Sequence, residues 1–315
     1  MLVVMALGAF AWRVNQSNRS FAAELLRNQF RERSDRALAG LMSAGVDATD
    51  APLREAERCL AMYAVLSDRD WQQHHRLTYL DEQSRGLVIH RLTDLLLRST
   101  SARLAMDTGS AEPDSTAKMH LELLRRPPFV DAAPVTISRL TERAGIPDAG
   151  NPLAVLSDER PVDVFSTSID QINRNRGEEA IRLLSPGLLN AIDPFSYWLA
   201  LGRAQMVSHQ NEAAEISFSM AIEHLAGCPL GHFYLGTCRM QQRRTDKQKL
   251  AETDFTEALR LDPELMLAYV SRALVRETLG DLRGGIDDLS TYLQVKENSS
   301  QALLIRSRLH HKLGD

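Results

Sequence analysis

Five residues near the C-terminal end of the chain return in register. Ala268, Arg272, Leu279, Gly280 and Asp281 recur 34 residues later as Ala302, Arg306, Leu313, Gly314 and Asp315. A fixed period of that size marks stacked helical hairpins, each of which buries its apolar face only against its neighbours. The same register runs backwards. Leu235-Gly236 lies 34 residues after Leu201-Gly202, and Ala180 lies 34 before Ala214, with Leu184 and Gly187 at matching intervals. Residues 161–315 therefore read as one degenerate unit over Pro161–Ile192, three regular units and a terminal half, above the three repeats that such a stack needs to hold itself together.

Within a unit the residue types have a mechanical reason. Small residues at Gly202, Ala214 and Ala221 let two antiparallel helices approach closely, while Trp198, Leu201 and Phe218 fill the space left between one hairpin and the next. In the following unit Ala251, Phe255 and Ala258 stand 37 residues on, so three residues have been added, and the polar run Gln241–Gln248 is the expected loop that takes them up. Asp262-Pro263 is expected to open the next helix as N-cap and first helical residue. Trp198, Leu201, Gly202, Ala214, Phe218 and Ala221 together resemble the tetratricopeptide repeat (TPR). The resemblance implies an all-α fold, a TPR-type helical-hairpin solenoid, preceded here by an N-terminal helical region.

Composition agrees with helices and limits the partners. Of the 315 residues 44% are hydrophobic and 25% charged, with aromatics at 6% and Ala, Leu, Arg and Glu abundant. The net charge of −4 shows no basic domain of the kind that phosphate backbones need, so nucleic acid is not expected as a partner. The cysteines Cys59, Cys228 and Cys238 are scattered and odd in number, which argues against a disulfide framework.

Ahead of the array, Met1–Trp12 is continuously apolar but shorter than the roughly 20 residues of a bilayer-spanning helix. Three readings stay open for it: the end of a membrane span, an uncleaved anchor, or a short apolar helix packed on the rest. Residues 13–106 carry helical periodicity. Phe21, Leu25, Leu26, Phe30, Ala37, Leu38 and Leu41 share one face before Gly45 closes the segment; Pro52 starts a second helix through Leu60 and Tyr63; Gly86 precedes a third through Leu87, Leu92 and Leu95-Leu96-Leu97. Residues 107–160 collect Gly, Pro, Asp and Ser and read as an irregular linker, with short helices around 117–124 and 137–144. With its apolar start and the Leu60–Leu104 stretch, the N-terminal half is similar to the segment after the membrane span in bacterial serine/threonine kinase–TPR fusion proteins. Such fusions hold the repeats outside the cytoplasm, whereas Arg13, Arg19, Arg27, Arg31, Arg33 and Arg36 favour a cytoplasmic side by the positive-inside rule. Localisation stays open between membrane-associated, on either side, and cytoplasmic.

No catalytic set emerges. Val88-Ile89-His90-Arg91-Leu92 begins like a kinase catalytic loop but has Leu92 where the catalytic Asp belongs, and Asp-Phe-Gly is absent. Cys228, His232 and Cys238 lack a fourth zinc ligand nearby, and the pairs His74-His75 and His310-His311 diverge on a helix. The Gly280–Gly285 run follows a helix, unlike the turn after a strand that cradles phosphate. The chain thus reads as no enzyme, with no metal and no cofactor. The binding surface is expected on the first helix of each hairpin, at Leu199, Arg203 and Met206, then Phe233, Thr237 and Met240, then Val270, Leu274 and Glu277, and finally Leu304 and Arg308. Met and other apolar side chains with a few arginines suit an extended peptide or a partner helix. The Lys and Asn that clamp a C-terminal carboxylate in some TPR domains are absent from these positions. The expectation is a non-catalytic protein- or peptide-binding scaffold, membrane-associated and part of a signalling or assembly system. The alternative is the regulatory portion of a membrane-tethered serine/threonine kinase. Met1–Trp12 is the candidate membrane contact, and the terminal half-repeat Ser300–Leu313 the candidate self-association surface.

Overall fold

The computed structural model describes residues 2–43, 50–106, 114–145, 161–190 and 192–314. The closing role of Gly45 and most of the turn-rich segments between 107 and 160 lie outside that set, as do the side chains of Met1–Trp12. The chain divides into two compact units, one carried by Met1–Ala44 and Thr49–Ser157, the other by Asp158–Asp315.

In the first unit α1 (Leu2–Ser43), α2 (Asp50–Met62) and α4 (Glu82–Met106) pack on one another, with the single turn α3 (His75–Thr78) against α1. Phe30 and Tyr63 meet edge to face at 5.1 Å in the core beside Leu60 and Leu92. Phe21 and Leu25, grouped by periodicity with the buried Phe30, Ala37, Leu38 and Leu41, stand exposed. Gly86 does not open the third helix. Asp81 accepts the Ser84 N–H at 2.9 Å and starts α4 earlier, leaving Gly86 inside it. The segment resembling a kinase loop is a structural part of α4: Val88 and Leu92 are buried, and Arg91 bridges to Ser34 and Asp35 on α1. The short helices expected around 117–124 and 137–144 are α5 (Ser115–Leu124) and α7 (Pro134–Arg143); with α6 (Phe129–Ala132) they pack on α4. His120 of α5 is buried with Nδ1 3.4 Å from Ser99 Oγ; burial, aided by the Arg103 charge, pushes its pKa down to about 4. Among the described residues no helix is long and apolar enough to cross a membrane.

The second unit is a TPR-type helical solenoid. It runs α8 (Pro161–Asn173) and α9 (Gly177–Leu183), α10 (Pro194–Val207) and α11 (Asn211–His224), α12 (Pro229–Gln241) and α13 (Thr245–Leu261), α14 (Met266–Leu279) and α15 (Leu282–Val295), and ends on α16 (Ser300–Leu313). Each helix packs on the next, within hairpins and between them. The small residues act as their spacing demands. A Cβ at Gly202 would lie 2.6 Å from the Phe218 ring, and one at Gly236 3.0 Å from the Phe255 ring. Gly280 and Gly314 close α14 and α16 in the left-handed conformation, with φ of 89° and 88°.

Two local expectations are corrected. Asp262 is not the N-cap of the next helix: it ends α13, its N–H donating to the Ala258 carbonyl, its carboxylate accepts the Glu264 N–H at 2.9 Å in a turn, and α14 starts at Met266. The three added residues lengthen no loop either. Instead α13 has 17 residues where α11 has 14, and the extra turn at its start uses Lys247 and Gln248 to grip the preceding helices.

Candidate partner-binding face

The first helices α8, α10, α12, α14 and α16 form one row, and side chains reach along it. Arg203 on α10 places its guanidinium 5.4 Å from the centre of the Tyr234 ring on α12, while its Nη2 donates to Asn173 Oδ1 on α8 at 3.2 Å. Farther along, Arg308 of α16 donates to both oxygens of Glu277 on α14, at 2.7 and 3.0 Å, and Lys312 adds a third bond at 2.6 Å. Burial alone would raise the Glu277 pKa, but these two cations and their hydrogen bonds outweigh it and hold the carboxylate below its ordinary value.

Of the residues expected on this face, Leu199 and Phe233 are corrected to core. Leu199 is fully buried, and Phe233 packs against Tyr234 and against Phe255 of α13, with ring centres at 5.4 and 5.9 Å. Phe233 thus faces the second helix α13, and as both side chains are buried neither is open to a ligand. Arg203, Met206, Thr237, Met240, Val270, Leu274 and Glu277 are half-buried, and Leu304 and Arg308 are exposed. The Thr237 hydroxyl is turned inward to the Phe233 carbonyl at 2.8 Å, and Val270 and Leu274 lean on the core around Leu289 and Leu309. Asn173, Tyr234 and Lys312 belong to the same face and were not singled out by periodicity, since each is defined by a neighbour in another unit.

Behind this row the units are tied by ions. Arg239 lies between Glu215 of the preceding hairpin, at 3.2 Å, and Asp254 of its own, at 2.7 Å; Arg276 repeats this with Glu252 and Asp288, both at 2.9 Å. In the first regular unit the place of the arginine is taken by Gln205, which accepts from Ser217 at 2.7 Å. Lys247 and Gln242 also hold Glu215, and their bonds outweigh the effect of burial and lower its pKa. Asp254 has fewer donors, and burial pushes its pKa up to about 6 despite Arg239. Cys238 is a packed thiol: its Sγ donates to the Asn211 carbonyl at 3.2 Å, and burial raises its pKa to about 11. Among the described residues no group of His, Cys, Asp or Glu side chains is arranged to hold a metal.

No known family profile matches the chain, and no curated protein does. Solved structures are similar in fold at low identity. MamA is 18% identical over 47% of this chain and 84% of its own, with a TM-score of 0.42. Yeast Tom70 is 10% identical over 95% of this chain and 60% of its own, at 0.49. The C-terminal part of a TPR repeat-containing protein from Cytophaga hutchinsonii is 11% identical over 91% and 98%, at 0.40. The solenoid assignment itself stands on the 34-residue period and the packing of successive hairpins described above.

Proposed function

We propose that the chain is a non-catalytic scaffold whose repeat array receives an extended peptide or a partner helix along its row of first helices. One observation carries this reading: Met206, Met240, Leu274 and Leu304 keep apolar surface open along the row, while Leu199 and Phe233 seal the floor beneath it. Adaptable methionines over a fixed base suit side chains of varied shape. The test is a displayed library of short peptides selected on the full chain. Binding should fall at least tenfold in Met240→Glu and stay unchanged in Leu250→Glu, which places the same charge at an exposed site on α13. Equal losses, or none, count against the face.

Membrane association is a second part of the reading, supported by Val14, Phe21 and Leu25, which stand exposed on α1 near Arg13 and Arg19. An apolar helix face flanked by arginines suits the headgroup boundary. Flotation with vesicles containing anionic lipid should carry the wild type and release Phe21→Glu/Leu25→Glu; equal flotation of both contradicts it. That the chain forms the regulatory portion of a membrane-tethered serine/threonine kinase rests on the sequence resemblance. Kinase motifs in frame upstream of Met1 support that reading, and an upstream frame without them overturns it.

A further inference from the structure

Arg203 differs from four arginines that tie the array together. Arg239, Arg272, Arg276 and Arg308 each meet a carboxylate. Arg203 is held by neutral groups instead, the Tyr234 ring and the Asn173 amide oxygen, and its Nη1 is shielded from solvent with no hydrogen-bond partner. A cation so placed has its rotamer fixed on both sides by α8 and α12. Nη1 is closed to an incoming group, and a neutral amide oxygen is a weaker acceptor than a carboxylate, so the charge of the fork is met by no carboxylate.

Farther along the row Glu277 is already engaged by Arg308 and Lys312, so these three side chains together with Arg203 carry an excess of positive charge. Between Arg203 and that cluster lie Met206, Met240 and Leu274.

We infer that the segment received on this face carries an aspartate or glutamate side chain among apolar residues, and that Arg203 binds this carboxylate. The inference rests on the groove reading above and adds the chemistry of the ligand. An Arg fork pre-organised by stacking and by one neutral hydrogen bond is matched by a carboxylate, and the resulting charge-assisted bonds are stronger than those to an amide. The arrangement selects against lysine-rich segments through the same excess charge.

The test uses peptides selected by display on the full chain, synthesised with blocked ends, and measured by fluorescence polarisation. Each is compared with a version in which Asp or Glu is replaced by Asn or Gln, and with a version ending in a free carboxylate. On the wild type the amide version should bind about tenfold more weakly or worse, and on Arg203→Met the two should differ by less than about twofold. The wild-type comparison needs no protein variant, so it stands even if Arg203→Met unfolds. If acid and amide versions bind the wild type alike and Met240→Glu weakens both, the ligand chemistry is wrong while the groove stands. If the acidic side chain is dispensable once the C-terminus is free, the carboxylate comes from a chain end and the inference is overturned. If no selected peptide is sensitive to Met240→Glu, both readings fall.

Discussion

Arg239 and Arg276 hold the same place in consecutive hairpins, and each joins an acid of the preceding second helix to an acid of its own. The two acids around Arg239 are held very differently. Glu215 collects bonds from Lys247, Gln242 and Arg239, whereas Asp254 meets Arg239 from a site with little solvent. Their titrations therefore push stability in opposite directions.

The folded Asp254 pKa is raised from 3.8 to about 6, so its contribution is fully present below the unfolded value and is lost as pH rises through the folded one. Relative to Asp254→Asn, the wild type should lose about 2 kcal/mol of stability between pH 4 and pH 6. Glu215 is lowered from 4.5, so the advantage of wild type over Glu215→Gln is present above 4.5 and disappears as pH falls through the folded pKa. Urea melts across this range check both signs. Parallel curves for both variants would refute the assignment.

His120 supplies a similar test in the first unit. Its folded pKa is lowered from 6.5 to about 4, so the neutral ring stabilises above 6.5 and that contribution is lost as pH falls. The advantage of wild type over His120→Gln should shrink by about 3 kcal/mol from pH 6.5 to pH 4, seen in melts followed at Trp71, which stacks on Phe129 in this unit.

Two glycines in helices should respond oppositely to alanine. Gly202→Ala drives a methyl into the Phe218 ring and should cost about 1–3 kcal/mol. Gly86→Ala meets nothing within 4 Å on the exposed side of α4 and should stabilise by about 0.5–1 kcal/mol. Thermal melts of both variants decide this; a destabilised Gly86→Ala or a neutral Gly202→Ala would be wrong for the packing described.

Phe233→Ala should destabilise the array by about 3 kcal/mol, as loss of a buried ring does, where a groove residue would have changed affinity alone. Denaturant midpoints measure it. The case shows where reading the sequence reached its limit. The period located every regular hairpin, because Gly202, Gly236, Phe218 and Phe255 are fixed by helix separation and recur at fixed places. It put Leu199 and Phe233 on the open face, whereas both are buried and Phe233 packs on Phe255 of the second helix α13. The ionic ties were hidden for another reason. Gln205 replaces the arginine in one unit, and Asp254 follows Arg239 by 15 residues where Asp288 follows Arg276 by 12, so only the 24-residue spacing from Glu215 to Arg239 and from Glu252 to Arg276 is constant, and it spans just two units. The unpartnered Nη1 of Arg203 is likewise a property of its neighbours on two other helices.

The most direct test of the binding face is site-specific photo-crosslinking. A photoreactive residue replaces Met240 on the row of first helices, or Ile216 at an exposed site on the second helix α11, in the full chain mixed with a display-selected peptide. Capture at position 240 and none at position 216 is the predicted result; capture at 216 with none at 240 would place the ligand on the other face and contradict it.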